Sequence, residues 1–175
     1  PGTKASNVAG LGFGPFISTA LAQGSQFMGI APSFVRHGSP AESAGMQRGD
    51  LIYEVNGTTL TTANYQSYMS SLYANPSGTY SFKFLRYEPN GKGGYDHNAY
   101  EASSVASGVH TYNPVLHASI LTDPDNSATK IGYLVYESFV LYSVEFLEVT
   151  IEGFVEEGIT DLILDLRFNP GGAVA

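Results

Sequence analysis

The second half of the chain carries the pattern that most restricts the fold. Ile131-Gly-Tyr-Leu-Val-Tyr136 is short and nearly all apolar, and Leu162-Ile-Leu-Asp-Leu166 repeats that character. Between them Val144, Leu147, Ile151, Phe154 and Val155 form an apolar stripe, in a helix expected over about residues 143–157 and stopped by Gly158. A strand, a helix and a strand at this spacing predict a right-handed crossover between parallel strands. The second strand then runs into Arg167-Phe-Asn-Pro-Gly-Gly172, a turn whose backbone amides can be left free to face a ligand.

The first half is punctuated differently. Gly10-Leu-Gly-Phe-Gly-Pro-Phe-Ile17 is a glycine-rich apolar segment, and residues 27–35 are a strand candidate interrupted by Pro32. Ser39 followed by Pro40 reads as the cap and first position of a short helix that Gly45 closes. Asp50 to Val55 reads as a strand, and Asn56-Gly57 as a tight turn into Thr58-Thr-Leu60. A turn also explains the sugar-acceptor pattern Asn56-Gly-Thr58. Thr62 is expected to cap a helix reaching Tyr73, with Tyr65, Met69 and Leu72 on one face, before Pro76-Ser-Gly78 breaks it. Tyr80 to Leu85 reads as a strand, Asn90 to Gly94 as a mobile loop, and Glu101 to Val109 as a weak strand. Asn113-Pro-Val-Leu116 opens the second part, and Asp123-Pro-Asp-Asn126 is a loop.

At 175 residues with 43% hydrophobic and 14% charged residues, the chain can bury a sizeable core. The net charge of −8 argues against nucleic acid as a partner and against a basic patch that docks on anionic membranes. The acids concentrated between Glu137 and Asp165 read as a solvated helix face. With no cysteine there is no disulfide, thiolate nucleophile or Cys-ligated zinc. No apolar run reaches the ~18 residues of a membrane span. His37, His97, His110 and His117 lack metal-ligand spacing, so neither a metal nor another cofactor is expected.

Gly10-Leu-Gly-Phe13 resembles the carboxylate-binding loop of PDZ domains. Gly38 to Gly57, with its short helix, Gly-Asp turn and strand ending in Asn-Gly, is similar to the block that follows in that family. The physical logic is a nest: glycines let successive amides converge on an anion without a positive side chain. A strand beyond the loop can then accept a peptide as an added strand. The resemblance implies that the amides of Leu11, Gly12 and Phe13 hold a terminal carboxylate. It also implies that Tyr65 and Tyr68 on the second helix select a substrate side chain. Ala41, Ala44, Leu51, Ile52 and Val55 are expected in the core, and Asp50 as a turn cap. Pro15 lacks an N–H and is expected to weaken one rung of any added strand or shift its register.

Asn113-Pro-Val-Leu-His117, residues 131–139 and residues 161–172 together resemble the C-terminal processing, or tail-specific, serine proteases. That family implies a mixed α/β chain, with a PDZ-like β-barrel or sandwich carrying two helices, followed by the start of a ClpP/crotonase-like α/β core. The expected partition is a linker over residues 1–9, the PDZ-like domain over 10–108 and the protease core over 109–175. The family's serine nucleophile and lysine base lie downstream of the Gly-Gly turn. This chain begins at Pro1 without Met and continues only to Ala175, so a fragment, inactive by itself, is expected. No Gly-x-Ser-x-Gly elbow occurs, and none of Lys4, Lys83, Lys92 and Lys130 stands in a matching context.

Gly171 and Gly172 match the family glycines that line the oxyanion hole, and either could be the donor. Asp165 and Arg167 are read as structural, on the argument that such strand positions point to opposite faces. The expected activity is that of a serine endopeptidase acting near protein C-termini, on polypeptides with a free C-terminus. The expected location is the periplasm, cell envelope or exterior of a bacterium. The alternatives are a non-catalytic peptide-binding module and a catalytically dead relative of the family. The apolar strand at residues 162–166 is expected to be buried by a second copy, giving a homodimer.

Overall fold

A computed structural model describes residues 6–74, 77–141 and 144–173. Residues 1–5 of the expected linker, Pro76 of the breaker and Ser143 at the expected start of the long helix lie outside the described residues. The chain divides into two compact units, one of Asn7–His110 and one built from Thr111 onward, which Ser6 joins.

The first unit is antiparallel. Strand β1 (Asn7–Gly10) pairs with β8 (Gly108–Thr111). The main sheet runs β2 (Phe16–Ala20), β3 (Met28–Pro32), β4 (Leu51–Val55), β6 (Thr79–Pro89), β7 (Tyr95–Ala106), and β5 (Thr58–Thr59) pairs with β4 off this path. Asn56 and Gly57 both adopt positive φ, 50° and 75°, as the two-residue turn between β4 and β5 requires. Helix α1 (Pro40–Ser43) starts with a reciprocal cap. The Glu42 amide donates to Ser39 Oγ at 3.3 Å, while Glu42 Oε2 accepts the Gly38 amide at 2.6 Å.

Helix α2 (Tyr65–Tyr73) begins later than its cap signal implied. Asn64, not Thr62, precedes the first turn, and its side chain is committed to the preceding turn: Oδ1 accepts the Thr61 amide at 2.7 Å and Nδ2 donates to the Thr59 carbonyl at 3.1 Å. The expected helix face holds, with Leu72 buried and Tyr65 and Met69 packed on the core. The β6–β7 hairpin is longer than its hydrophobic pattern suggested. Its outer half is exposed, and cross-strand side chains hold it: Tyr100 donates to Glu88 at 3.1 Å, Asn98 donates to Glu88, and the Tyr87 and His97 rings lie 4.3 Å apart. The loop at its tip is closed by Asn90 Oδ1, which accepts the amides of Lys92 and Gly94.

Ile30, Ile52, Val55, Leu60, Phe82 and Leu11 are buried at the centre of this unit. Ala41 and Leu51 are buried as expected, and Ala44 packs at the edge. Asp50 does cap its turn, accepting the Gln47 amide at 2.7 Å. Its second partner lies 36 residues further along the chain. Arg86 on β6 forks onto both carboxylate oxygens, each at 2.7 Å, and also donates to the Gly45 carbonyl at 2.8 Å. Asp50 is 1% exposed.

The second unit is the expected crossover. Strand β10 (Lys130–Tyr136) lies between β11 (Asp161–Asp165), parallel to it, and β9 (Val115–Thr122), antiparallel to it. The β9 strand was not evident in sequence because His117, Ser119 and Thr122 dilute its apolar pattern. Helix α3 (Val144–Glu156) packs Phe146, Leu147, Ile151 and Phe154 around Val115, Leu134 and Tyr136. A Cβ at Gly132 would lie 2.9 Å from the Phe154 ring, so the helix sits on the one strand position without a side chain. Within its sheet β11 is an edge strand, with Leu162 46% and Ile163 47% exposed.

Removing one partner of a buried ion pair strands the other. Asp50→Asn is therefore expected to lower the unfolding free energy of the first unit by about 3–5 kcal/mol, read from the urea midpoint at unchanged m-value. A loss below about 1 kcal/mol would show that Arg86 is satisfied without it.

Candidate functional site

The Leu11–Phe13 loop follows β1 directly. Its carbonyls are turned into the protein: the Ala41 amide donates to Leu11 and the Arg36 amide to Gly12, both at 2.9 Å. Among the described residues, the amides of Leu11, Gly12 and Phe13 have no hydrogen-bond partner. Leu11 and Phe13 anchor the loop by their side chains, both buried, with the Phe13 ring 5.4 Å from Phe16 and 5.7 Å from Phe82. Gly12 has φ +90°, and a Cβ there would lie 2.2 Å from Ser39 Cβ. Only glycine lets the backbone lie this close to the start of α1.

Strand β2 leaves this loop as an edge of the main sheet, paired on one side only, with β3. The Ser33 amide donates to the Pro15 carbonyl at 2.8 Å and the Leu21 amide to the Phe27 carbonyl at 3.0 Å. Pro15, Ile17, Thr19 and Leu21 thus turn their polar groups toward β3, and Phe16, Ser18 and Ala20 turn theirs to the open edge. The N–H that proline lacks belongs to the inner side, so Pro15 removes no rung from an added strand. This corrects the expectation drawn from its chemistry alone.

Beside this edge is an open groove of ≈ 230 Å³ lined by Pro15, Phe16, Met69, Ser70 and Tyr73. Tyr65 and Tyr68, the expected selecting residues, are half-buried and pack against the core cluster. The groove wall is instead the adjacent helix row Met69 and Tyr73, four residues apart, with Ser70. The signal that could have found it is the i, i+4 spacing of those two large side chains. His110 on β8 was likewise missed, since a lone histidine in a weak strand carries no pattern. It is 5% exposed, and neither ring nitrogen has a hydrogen-bond partner among the described residues. Its Nε2 would lie 3.5 Å from a Cβ on Gly12.

In the second unit the closing turn separates its two glycines. The Gly171 amide donates to Asn169 Oδ1 at 2.7 Å, and its carbonyl accepts the Phe139 amide at 3.0 Å. The Gly172 amide has no partner among the described residues. Gly172 pairs with Phe139 so closely that a Cβ would lie 1.9 Å from the Phe139 carbonyl oxygen. Asn169 organises the turn from within, donating through Nδ2 to the Tyr136 carbonyl at 3.1 Å.

Asp165 and Arg167 are two residues apart and share a side, contrary to the argument made for them from alternation. Arg167 folds back onto Asp165, NH2 to Oδ2 at 2.6 Å, and Tyr133 donates to the same oxygen at 2.7 Å. The Arg167 guanidinium, with the Tyr133 hydroxyl, holds the Asp165 carboxyl well below the usual carboxylate range. A carboxylate so stabilised is a poor proton acceptor, which fits a structural clamp at the strand end.

No described lysine is placed as a general base, a role that requires burial to lower its pKa. Lys83 pairs with Glu54 at 2.8 Å, and this hydrogen bond raises its pKa. Lys130 donates to the Glu157 carbonyl at 2.7 Å, and Lys92 is exposed at the hairpin tip. Lys4 lies outside the described residues. Ser119 and His117 are 3.0 Å apart on β9, Ser119 half-buried and His117 exposed, and no carboxylate orients His117 among the described residues. No cluster of metal-binding side chains is found among the described residues.

Gly172→Ala is expected to destabilise the second unit by about 1–3 kcal/mol, because the new methyl must displace Phe139. Gly171→Ala meets open space and only its positive φ opposes it, so it should cost less, about 1 kcal/mol. Chemical denaturation of both variants checks the order, and equal losses would contradict it.

Known proteins match both units. Residues 35–74 match the PDZ domain family model, and residues 130–175 match peptidase family S41. The chain is 27% identical over 138 residues to carboxyl-terminal-processing peptidase 3, chloroplastic, of Arabidopsis thaliana, and 28% identical over 136 residues to peptidase 1 of the same plant and description. Each match takes in 78% of this chain and 26% of the relative, so the chain spans about a quarter of their length. In fold, it is similar to the crystal structure of a protein described as an S41 protease from Bacteroides fragilis, with a TM-score of 0.71 and 24% identity, over 95% of this chain and 42% of that one. The first unit is thus similar to PDZ domains, the second to peptidase family S41, and 78% of the chain to the carboxyl-terminal-processing peptidases of Arabidopsis thaliana.

Proposed function

We propose that the whole protein is a serine endopeptidase that captures polypeptide C-terminal tails through the first unit and cleaves near them. The observation that carries this reading is the row of unpartnered Leu11, Gly12 and Phe13 amides at the head of an open strand edge. A tail carboxylate accepts from those amides. The tail backbone pairs with the outward groups of Phe16 and Ser18, and an apolar side chain enters the groove beside Phe16, Met69 and Tyr73.

In the second unit the Gly172 amide is the oxyanion donor of this proposal, because the Gly171 amide is already taken by Asn169. One such donor is worth about 2.7–4 kcal/mol of barrier. By family resemblance, the nucleophile is a serine and the base a lysine kept neutral by desolvation, both outside these 175 residues. The periplasm or cell envelope is the proposed compartment, again by resemblance; the curated relatives are described as chloroplastic. The 175-residue chain by itself is proposed to self-associate through the apolar β11 edge.

Titration of the chain with octapeptides ending in a free carboxylate or an amide tests the capture step. The free acid is expected to bind at least about tenfold more tightly, since the amide loses the charge-assisted bonds, and equal affinity would reject the carboxylate nest. Sedimentation velocity is expected to show a dimer at micromolar concentration. A monomer throughout would remove the β11 contact from the reading.

A further inference from the structure

The first unit buries one titratable group that nothing in the fold uses. His110 is 5% exposed, and both of its ring nitrogens lack a partner among the described residues. Buried polar atoms are nearly always paired, so a buried imidazole without a hydrogen-bond partner is a group whose protonation responds to a charge brought close to it. Its position says which charge that is. Nε2 would be 3.5 Å from a Cβ on Gly12, so the ring lies directly beneath the central residue of the amide loop.

We propose that His110 is the protonatable counter-charge of a carboxylate seated on the Leu11–Phe13 amides, and that it takes up a proton as the tail binds. This rests on the tail-capture reading above. The anion need not touch the ring, because a negative charge a few ångströms away across the loop stabilises the imidazolium through a weakly screened interior.

The surroundings favour this coupling. In the unliganded unit burial holds the His110 imidazole below its ordinary value, and the positive Arg36 adds to that; the Gly108 carbonyl opposes it without reaching hydrogen-bond geometry. Ser39, which a Cβ on Gly12 would also meet, and the Leu11–Phe13 loop carry no ionisable side chain. His37 and Glu42 lie at the start of α1, but they are exposed and paired with each other at 2.8 Å. His110 is therefore neutral near pH 7 without ligand, and a bound carboxylate raises its pKa. Proton uptake on binding follows, and affinity increases as pH falls through the liganded pKa until the unliganded pKa is reached.

Calorimetric titration of the full chain with acetylated octapeptides that lack Asp, Glu and His, ending in Ala, Val, Leu or Phe, tests this. Between about pH 8 and pH 5.5 the affinity of the free-acid form is expected to rise about three- to tenfold, and the binding heat to vary with buffer ionisation enthalpy. His110→Gln should abolish both effects, whereas His37→Gln should leave them intact. The His110 imidazole resonances, followed by NMR in the wild-type chain, should titrate at higher pH when peptide is saturating, which keeps the test independent of how the variant folds. Free-acid binding that is flat with pH, or an unchanged His110 titration, would overturn the His110 role and leave tail capture standing. Equal binding of acid and amide, or binding of neither, would overturn tail capture and this inference together.

Discussion

The approach of the Gly12 backbone to Ser39 governs what the first unit can present. A backbone can offer several amides to one point only if its carbonyls are paired elsewhere, because each residue carries both groups. Here the amides of Ala41 and Arg36 take the Leu11 and Gly12 carbonyls, and the missing Gly12 side chain allows the contact with α1. The buried Leu11 and Phe13 side chains then prevent the loop from turning over. The Asp50–Arg86 pair supports the same corner, since Arg86 also holds the Gly45 carbonyl at the end of α1.

The second unit solves a comparable problem with a different device. Its closing turn leaves the Gly172 amide without a partner among the described residues. Asn169 takes the Gly171 amide and the Tyr136 carbonyl, and Phe139 clamps Gly172 from the other side. Rigidity of this kind matters for any oxyanion donor, because a preorganised dipole stabilises charge without reorganising as the charge appears. The Asp165–Arg167–Tyr133 clamp ends β11 just before this turn and holds the strand end in place.

Much of this was legible in order along the chain. The parallel crossover followed from apolar strands flanking a helical stripe, the α1 cap from Ser39 and Pro40, and the tight turn from Asn56-Gly57, because each depends on neighbouring residues. The misses share another cause. Asn64 displaced Thr62 at the start of α2 because its side chain was committed to Thr59 and Thr61. Strand β9 and the outer hairpin had no hydrophobic period to read, and their strands are held by pairing across the chain.

The order of residues alone dictates which segments become strands and helices in most of the chain, and where glycine makes backbone amides available. It could not say which of the Gly171 and Gly172 amides is already paired, place Met69 and Tyr73 on the groove, turn the Pro15 deficit inward, or bring His110 close to Gly12. Those outcomes depend on which distant group reaches a given atom first. Hydrogen-bond partners and burial are properties of the packed chain, and adjacent residues of the same type differ in them completely.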